Sequence, residues 1–205
     1  MAAAPGYEYE TLAVTWLSDG VMSVSPLRSA HPAQPHPISR SGVAGWAWQV
    51  MLNRPEASNA MNSLFWDECR ECFRRIKDDH AVRAVVISGA GRNFTAGLDL
   101  KDAGGGGGPR QDDIGRRAYA SHDHILEIQE SFNAIEDCSK PVIACAHGAC
   151  YGGGIDLLCA CDIRLCAEGT QFCIKEVDVG LAADVGTLQR LPKIVGNDSK
   201  VRELA

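Results

Sequence analysis

The sequence predicts an α/β fold, on three observations. Short apolar runs rich in β-branched residues, Ala47–Leu52, Arg83–Ser88 and Pro141–Ala146, read as buried strands. Segments with apolar residues at helical spacing lie between them. Glycines follow the second and third runs, where chain leaving a strand must turn. At 205 residues the chain is one domain by length, with enough material for a substantial core.

The elements follow in order. Tyr9–Trp16 alternates enough to be a strand, and Val21–Ser25 could be another. Residues 26–45 hold four prolines and no periodicity, which predicts an irregular stretch. Ala47–Leu52 ends at Asn53-Arg54-Pro55, where proline stops a strand. Asn62 or Ser63 can cap a helix whose inner face is Phe65, Cys69, Cys72 and Ile76. Arg83–Ser88 runs into Gly89-Ala90-Gly91. The next glycine, Gly97, comes too late for a dinucleotide fingerprint. Gly104–Gly108 is a flexible surface loop rather than a phosphate cradle, because no Lys-Ser/Thr follows. Ile114–Asp137 is a long helix with Ile125, Ile128, Phe132 and Ile135 on its buried face, ended by Lys140-Pro141. Residues 155–161 suit a buried helix, 162–167 and 171–175 short strands, and 184–196 and 198–205 helices.

Composition narrows the function classes. A net charge of −6 without a basic run argues against a nucleic-acid surface. No apolar stretch reaches the roughly 18 residues of a membrane helix. The first ten residues carry no readable secretory or mitochondrial leader. Most of the nine cysteines lie in apolar runs and read as small buried hydrophobes of a reducing compartment. Cys69-x-x-Cys72 lacks a second pair at zinc spacing, so a structural role is expected.

The chemistry concentrates in residues 141–186. Gly152-Gly153-Gly154 brings bare backbone amides to the start of a helix. Asp156, Glu176 and Asp184 follow in mostly apolar surroundings, where carboxylates need partners or a task. A second glycine loop, Phe94–Leu100, follows an earlier strand. Two amides from separate loops can converge on one oxygen, an oxyanion hole for a carbonyl that gains charge. Removing one such donor typically costs about 3 kcal/mol of barrier. Amide donors beside carboxylates suit proton shuttling through an enolate. Plainer readings stand beside this one. Asp156 can cap its own helix, Asp184 can cap 185–196, and Glu176 and Asp178 can be surface charges. His147 reads as a packed histidine, Asp162 and Arg164 as a structural pair, and Asp99 as an organiser of its loop.

Five segments carry a family resemblance: NRPEASNAMN at 53–62, FTAGLDL at 94–100, HGACYGGGIDL at 147–157, ACDIR at 160–164 and KEVDVGLAADVGTLQRLPK at 175–193. The chain resembles the enoyl-CoA hydratase/isomerase (crotonase) superfamily, and within it the Δ3,5-Δ2,4-dienoyl-CoA isomerases. The last segment, with aspartate at 156, points to that branch. The resemblance implies a crotonase-like α/β fold, ββα units spiralling into two roughly perpendicular sheets. It implies an oxyanion hole from the amides of Leu98 and Gly153. Ala96, Gly97, Leu98, Asp99, Leu100 and Gly153 would line the acyl-CoA site. Glu176 would take a proton from C2 of a 3,5-dienoyl-CoA and Asp184 would deliver one at C6. Asp156 would sit beside the reacting carbons. The CoA thioester is the substrate, and neither a metal nor a redox cofactor is implied.

The resemblance further implies auxiliary β-oxidation, a mitochondrial or peroxisomal location, and homo-oligomers (trimers or hexamers) in family members. 2-Enoyl-CoA hydration is the alternative activity, against which aspartate at 156 argues, because hydratases of the superfamily carry glutamate at both the Asp156 and Glu176 positions. Residues 16–46 depart from the family and read as an irregular insertion in a single domain spanning 1–205. The family's C-terminal helical trimerisation region has no counterpart here. That makes a truncated, non-catalytic form a further alternative.

Overall fold

The computed structural model describes residues 3–17, 47–103 and 113–204. The expectations for Val21–Ser25, for 26–45 and for the five-glycine loop lie outside the described residues.

Eight strands and six α-helices are described: β1 (Ala3–Glu8), β2 (Leu12–Leu17), β3 (Ala47–Leu52), α1 (Ser63–Asp78), β4 (Ala84–Gly89), α2 (Leu100–Ala103), α3 (Ile114–Glu136), β5 (Val142–Ala146), β6 (Ala149–Tyr151), α4 (Gly153–Ala160), β7 (Ile163–Cys166), β8 (Gln171–Cys173), α5 (Thr187–Val195) and α6 (Asp198–Leu204). Six strands form a mixed sheet in the order β1-β2-β3-β4-β5-β7. The first three are antiparallel, and β3, β4, β5 and β7 run parallel. A second small sheet pairs β6 with β8.

The core follows from the periodicities. Trp48, Val50 and Leu52 of β3 and Val142, Ala144 and Ala146 of β5 are buried, every second residue, as one face of a pleated sheet requires. Asn62 caps α1 by accepting the Phe65 amide at 3.0 Å. Its inner face, Phe65, Cys69, Cys72 and Ile76, is fully buried. Phe132 of α3 meets Phe65 and Trp66 edge-on, with ring centroids 6.4 and 5.5 Å apart. Each such buried side chain contributes about 1.5–3 kcal/mol. Phe132 and Ile135 are buried as expected, whereas Ile125 and Ile128 are only half-buried. Cys69 and Cys72 are buried thiols, and burial pushes both well up from the ordinary cysteine range.

Three details differ from the sequence expectation. The N-terminal strand is a hairpin, β1 and β2, with its turn near Glu10-Thr11. The buried Glu68 of α1 holds that turn, accepting the Glu10 and Thr11 amides at 2.6 and 2.8 Å and the Thr11 hydroxyl. Residues 149–151 add a strand, β6, between the glycines of the central stretch. Asp162 and Arg164 do not pair. Asp162 accepts the Val142 amide at 2.8 Å, and Arg164 donates to the carbonyls of Leu158, Cys161 and Asp162. Among the described residues, no helix is long and apolar enough to cross a membrane.

Candidate active site

Two loops leave the parallel strands and run side by side. The chain after β4 reaches Thr95–Leu98, and the chain after β5 reaches Ala149–Gly153. Thr95 donates its amide to the Ala149 carbonyl and accepts the Tyr151 amide, both at 3.1 Å. This parallel bridge aligns the next residues, Gly97 and Gly152. Both have positive φ, +87° and +52°. A methyl group added at Gly97 would lie 2.8 Å from the Tyr151 carbonyl oxygen and 3.5 Å from Gly152 Cα. Only glycine allows that approach.

Each approaching glycine is followed by an amide of interest: Leu98 follows Gly97, and Gly153 follows Gly152. The Leu98 amide has no acceptor among the described residues. Met61 bridges to Leu98 through the Gly97 carbonyl and the Asp99 amide, at 2.8 and 2.9 Å, which turns the Leu98 amide away. Gly153 is the first residue of α4, so its amide has no intrahelical acceptor, and Gly152 offers no side-chain cap.

The remaining loop residues divide. Ala96 and Leu100 are exposed, and Leu100 opens α2. Asp99 is tied to Arg54, with Oδ2 accepting from Nη1 at 3.0 Å. Burial opposes the charge of Asp99. Hydrogen bonds from Arg54 and from the amides of Lys101 and Asp102 outweigh it and hold the carboxyl below the usual range. Arg54 also donates to the Ala60 carbonyl at 2.5 Å, so it staples residues 54–60 to the Leu98 loop.

The three carboxylates come together. Glu176 faces Gly152: a methyl added there would lie 3.1 Å from Oε1. Asp156 is completely buried in the first turn of α4. Its Oδ1 accepts the Thr187 amide at 2.5 Å. Glu176 Oε2 and Asp156 Oδ2 are both buried without a hydrogen-bond partner among the described residues. Burial raises the pKa of Glu176, and the charges of Asp156 and Asp184 add to the rise. Burial also raises that of Asp156, reinforced by Asp184 and opposed by Thr187 and Arg190. Asp184 is half-buried, and its carbonyl accepts the Gln129 side-chain amide at 2.6 Å.

Several plainer readings are thereby decided. Asp156 caps α5 rather than its own helix. Asp184 does not cap α5, because the N-cap is Gly186 at φ +143°, a conformation suited to glycine. Asp178 is exposed and pairs with Lys175. His147 bonds the Gly91 carbonyl at 3.0 Å. Sequence reading missed Gln129, Thr187 and Arg190, whose partners lie far away along the chain. Among the described residues, no group of three or more His, Cys, Asp and Glu side chains is placed to hold a metal ion.

The chain is similar to known proteins of one family. The family model for enoyl-CoA hydratase/isomerase matches residues 43–205. The chain is 50% identical over 206 residues to the human protein named mitochondrial Δ(3,5)-Δ(2,4)-dienoyl-CoA isomerase, covering all of this chain and 55% of that one. It is 58% identical over 156 residues to the rat protein of the same name, covering 76% of this chain and 48% of that one. The chain thus spans about half the length of these relatives. Among solved structures, a Thermobifida fusca protein assigned to the enoyl-CoA hydratases, in complex with acetoacetyl-CoA, superposes with a TM-score of 0.68. It is 31% identical, covering 80% of this chain and 63% of that one. The chain belongs to the enoyl-CoA hydratase/isomerase family.

Proposed function

We propose that this site moves the double bonds of a 3,5-dienoyl-CoA to give the 2,4-dienoyl-CoA. The reading rests on two backbone amides without an acceptor among the described residues, Leu98 and Gly153, each following one of the two closely approaching glycines, with Glu176 beside Gly152 and unpartnered oxygens on Glu176 and Asp156. Amides so placed would bind the thioester oxygen and stabilise the charge it gains. Ala96–Leu100 and Gly153 would line the acyl-CoA site. Glu176, with an elevated pKa, is suited to act as base at C2. The C2–H electrons form C2=C3, the C3=C4 pair moves to C4=C5, and the C5=C6 pair takes the proton of Asp184 at C6. Glu176 ends protonated and Asp184 ionised, and exchange with solvent resets them. Asp156 would sit beside the reacting carbons and help hold the conjugated intermediate without entering the transfer. The electrons stay within the acyl skeleton, so the reaction is redox-neutral.

The names of the human and rat relatives support this substrate class, and both carry the word mitochondrial. We take the mitochondrion as the compartment, with the peroxisome as the alternative. We also take 1–205 as one domain with an irregular insertion read from the sequence at 16–46, of which Trp16 and Leu17 belong to β2 and the remainder lies outside the described residues, and assembly with further copies as the working form. The test is the ultraviolet absorbance of a conjugated 2,4-dienoyl-CoA on adding 3,5-dienoyl-CoA. Appearance of that band supports the reading. No band, together with water addition to crotonyl-CoA, would replace it with hydration.

A further inference from the structure

We propose that Gln129 is a positioning residue that fixes where Asp184 delivers its proton; this rests on the isomerase reading above. The Asp184 carboxylate has no hydrogen-bond partner among the described residues, so the backbone sets its place. One side-chain bond holds that backbone: Gln129 Nε2 donates to the Asp184 carbonyl at 2.6 Å. Gln129 belongs to a polar stripe on α3. Asn133 and Glu136 stand four and seven residues further on, one helical face. Both hold Arg190: Nη2 donates to Asn133 Oδ1 at 2.7 Å and to Glu136 Oε2 at 2.6 Å, and Nε donates to Glu136 Oε2 at 2.8 Å.

The stripe therefore grips the segment 184–190 at both ends. Asp156 holds its middle through the Thr187 amide. Between these points lies Gly186, whose φ of +143° favours glycine; a methyl there would lie 2.1 Å from Arg190 Nη1, so the guanidinium would have to shift. The segment is thus clamped by α3 and α4, while its functional carboxylate stays free of hydrogen bonds. A proton donor needs that combination, a fixed position and an uncommitted carboxyl. Glu176 lies outside the clamp, on the turn after β8.

That separation gives a test on the whole chain. In D2O, the C2 proton of the substrate exchanges through Glu176, and product forms only when Asp184 completes the transfer. In Gln129→Met, product formation is expected to fall about tenfold or more, while C2 exchange falls less than about twofold. An equal fall in both, or no fall, overturns the role of Gln129. A wild-type chain that performs neither step overturns the isomerase reading and this role with it. Hydrogen exchange of the Val185–Thr187 amides is expected to speed up in the variant while α3 stays protected; unchanged rates at 185–187 overturn the clamp. If Gln129→Met does not fold, Gln129→Glu serves instead. Its carboxyl donates only when protonated, so the ratio of product to exchange rises more steeply than in the wild type as pH falls. A ratio that tracks the wild type overturns the role.

Discussion

Oδ1 of Asp156, in the first turn of α4, accepts the amide of Thr187, the first residue of α5, at 2.5 Å. The carboxylate thus stands at the positive end of a helix that is not its own. The N-cap of α5 is Gly186, which has no side chain to satisfy the first amides. Asp156 supplies the missing acceptor from 31 residues away. Its other oxygen is buried and unpartnered. One carboxyl therefore organises the segment bearing Asp184 and also keeps an uncommitted oxygen among the candidate acid and base groups.

Replacing Asp156 separates these two contributions. Its pKa is raised on folding, so its protonated form favours the native state. The stabilisation is fully present below the unfolded value of about 4 and is lost as pH rises through the native value. Asp156→Asn keeps an oxygen for the Thr187 amide and removes the charge. The expected outcome is a melting temperature at pH 7 equal to or above that of the wild type, with a shallower decline between pH 4 and 8. Each kcal/mol gained corresponds to about 2–4 °C in a chain of this size. A lower melting temperature at pH 7 would show that the charge itself stabilises the fold. Turnover should fall regardless.

On the proposed mechanism, Glu176 sets the acid limb of activity. Burial and two neighbouring carboxylates raise its pKa, so the base form appears only above the ordinary glutamate range. kcat/KM should rise with pH, with a midpoint above about 4.3, the unperturbed glutamate value. Glu176→Gln should lower turnover by about 10²–10⁴-fold and abolish this limb. A limb unchanged in the variant assigns the titration to another group. Rates measured between pH 4 and 8 with a 3,5-dienoyl-CoA decide it.

Asp184→Asn tests the proposed proton donor with little risk to the fold. The side chain makes no hydrogen bond among the described residues, and its backbone contact with Gln129 survives the change. Stability should stay within about 0.5 kcal/mol. Product formation should fall by about 10²–10⁴-fold while C2 exchange persists. An unaltered rate would remove Asp184 from the mechanism.

What could be read from the sequence was local. The face of α1, the cap at Asn62 and strands β3, β4 and β5 follow from spacing within a few residues. So does the concentration of glycine and carboxylate between 141 and 186. What could not be read depends on partners far apart. Glu68 holds a turn 57 or 58 residues before it, and Gln129 holds a carbonyl 55 residues after it. Each reads as an ordinary polar residue on a helix. The one signal for Gln129 was the spacing of Gln129, Asn133 and Glu136, a polar stripe beside the apolar face. β6 has three residues, too few for a period to register. Asp184 has the composition of a cap, but the backbone turn at Gly186 takes that place.

The close approach of the two glycine loops can be tested with a matched pair of substitutions. Gly97 and Gly169 have similar positive φ, +87° and +79°. A methyl at Gly169 would meet nothing within 4 Å, whereas at Gly97 it would lie 2.8 Å from the Tyr151 carbonyl oxygen. Gly169→Ala therefore carries only the cost of a left-handed backbone, about 1–2 kcal/mol, and should leave turnover unchanged. Gly97→Ala carries that cost and must also push the loops apart. Separation would displace the Leu98 and Gly153 amides from a shared target, and losing one donor's alignment costs about 3 kcal/mol of barrier, a rate loss of about 10²-fold. Melting temperatures and turnover, measured for both variants, distinguish strain from displacement. Equal turnover in the two would mean that the Gly97–Gly152 approach does not set the position of the amides.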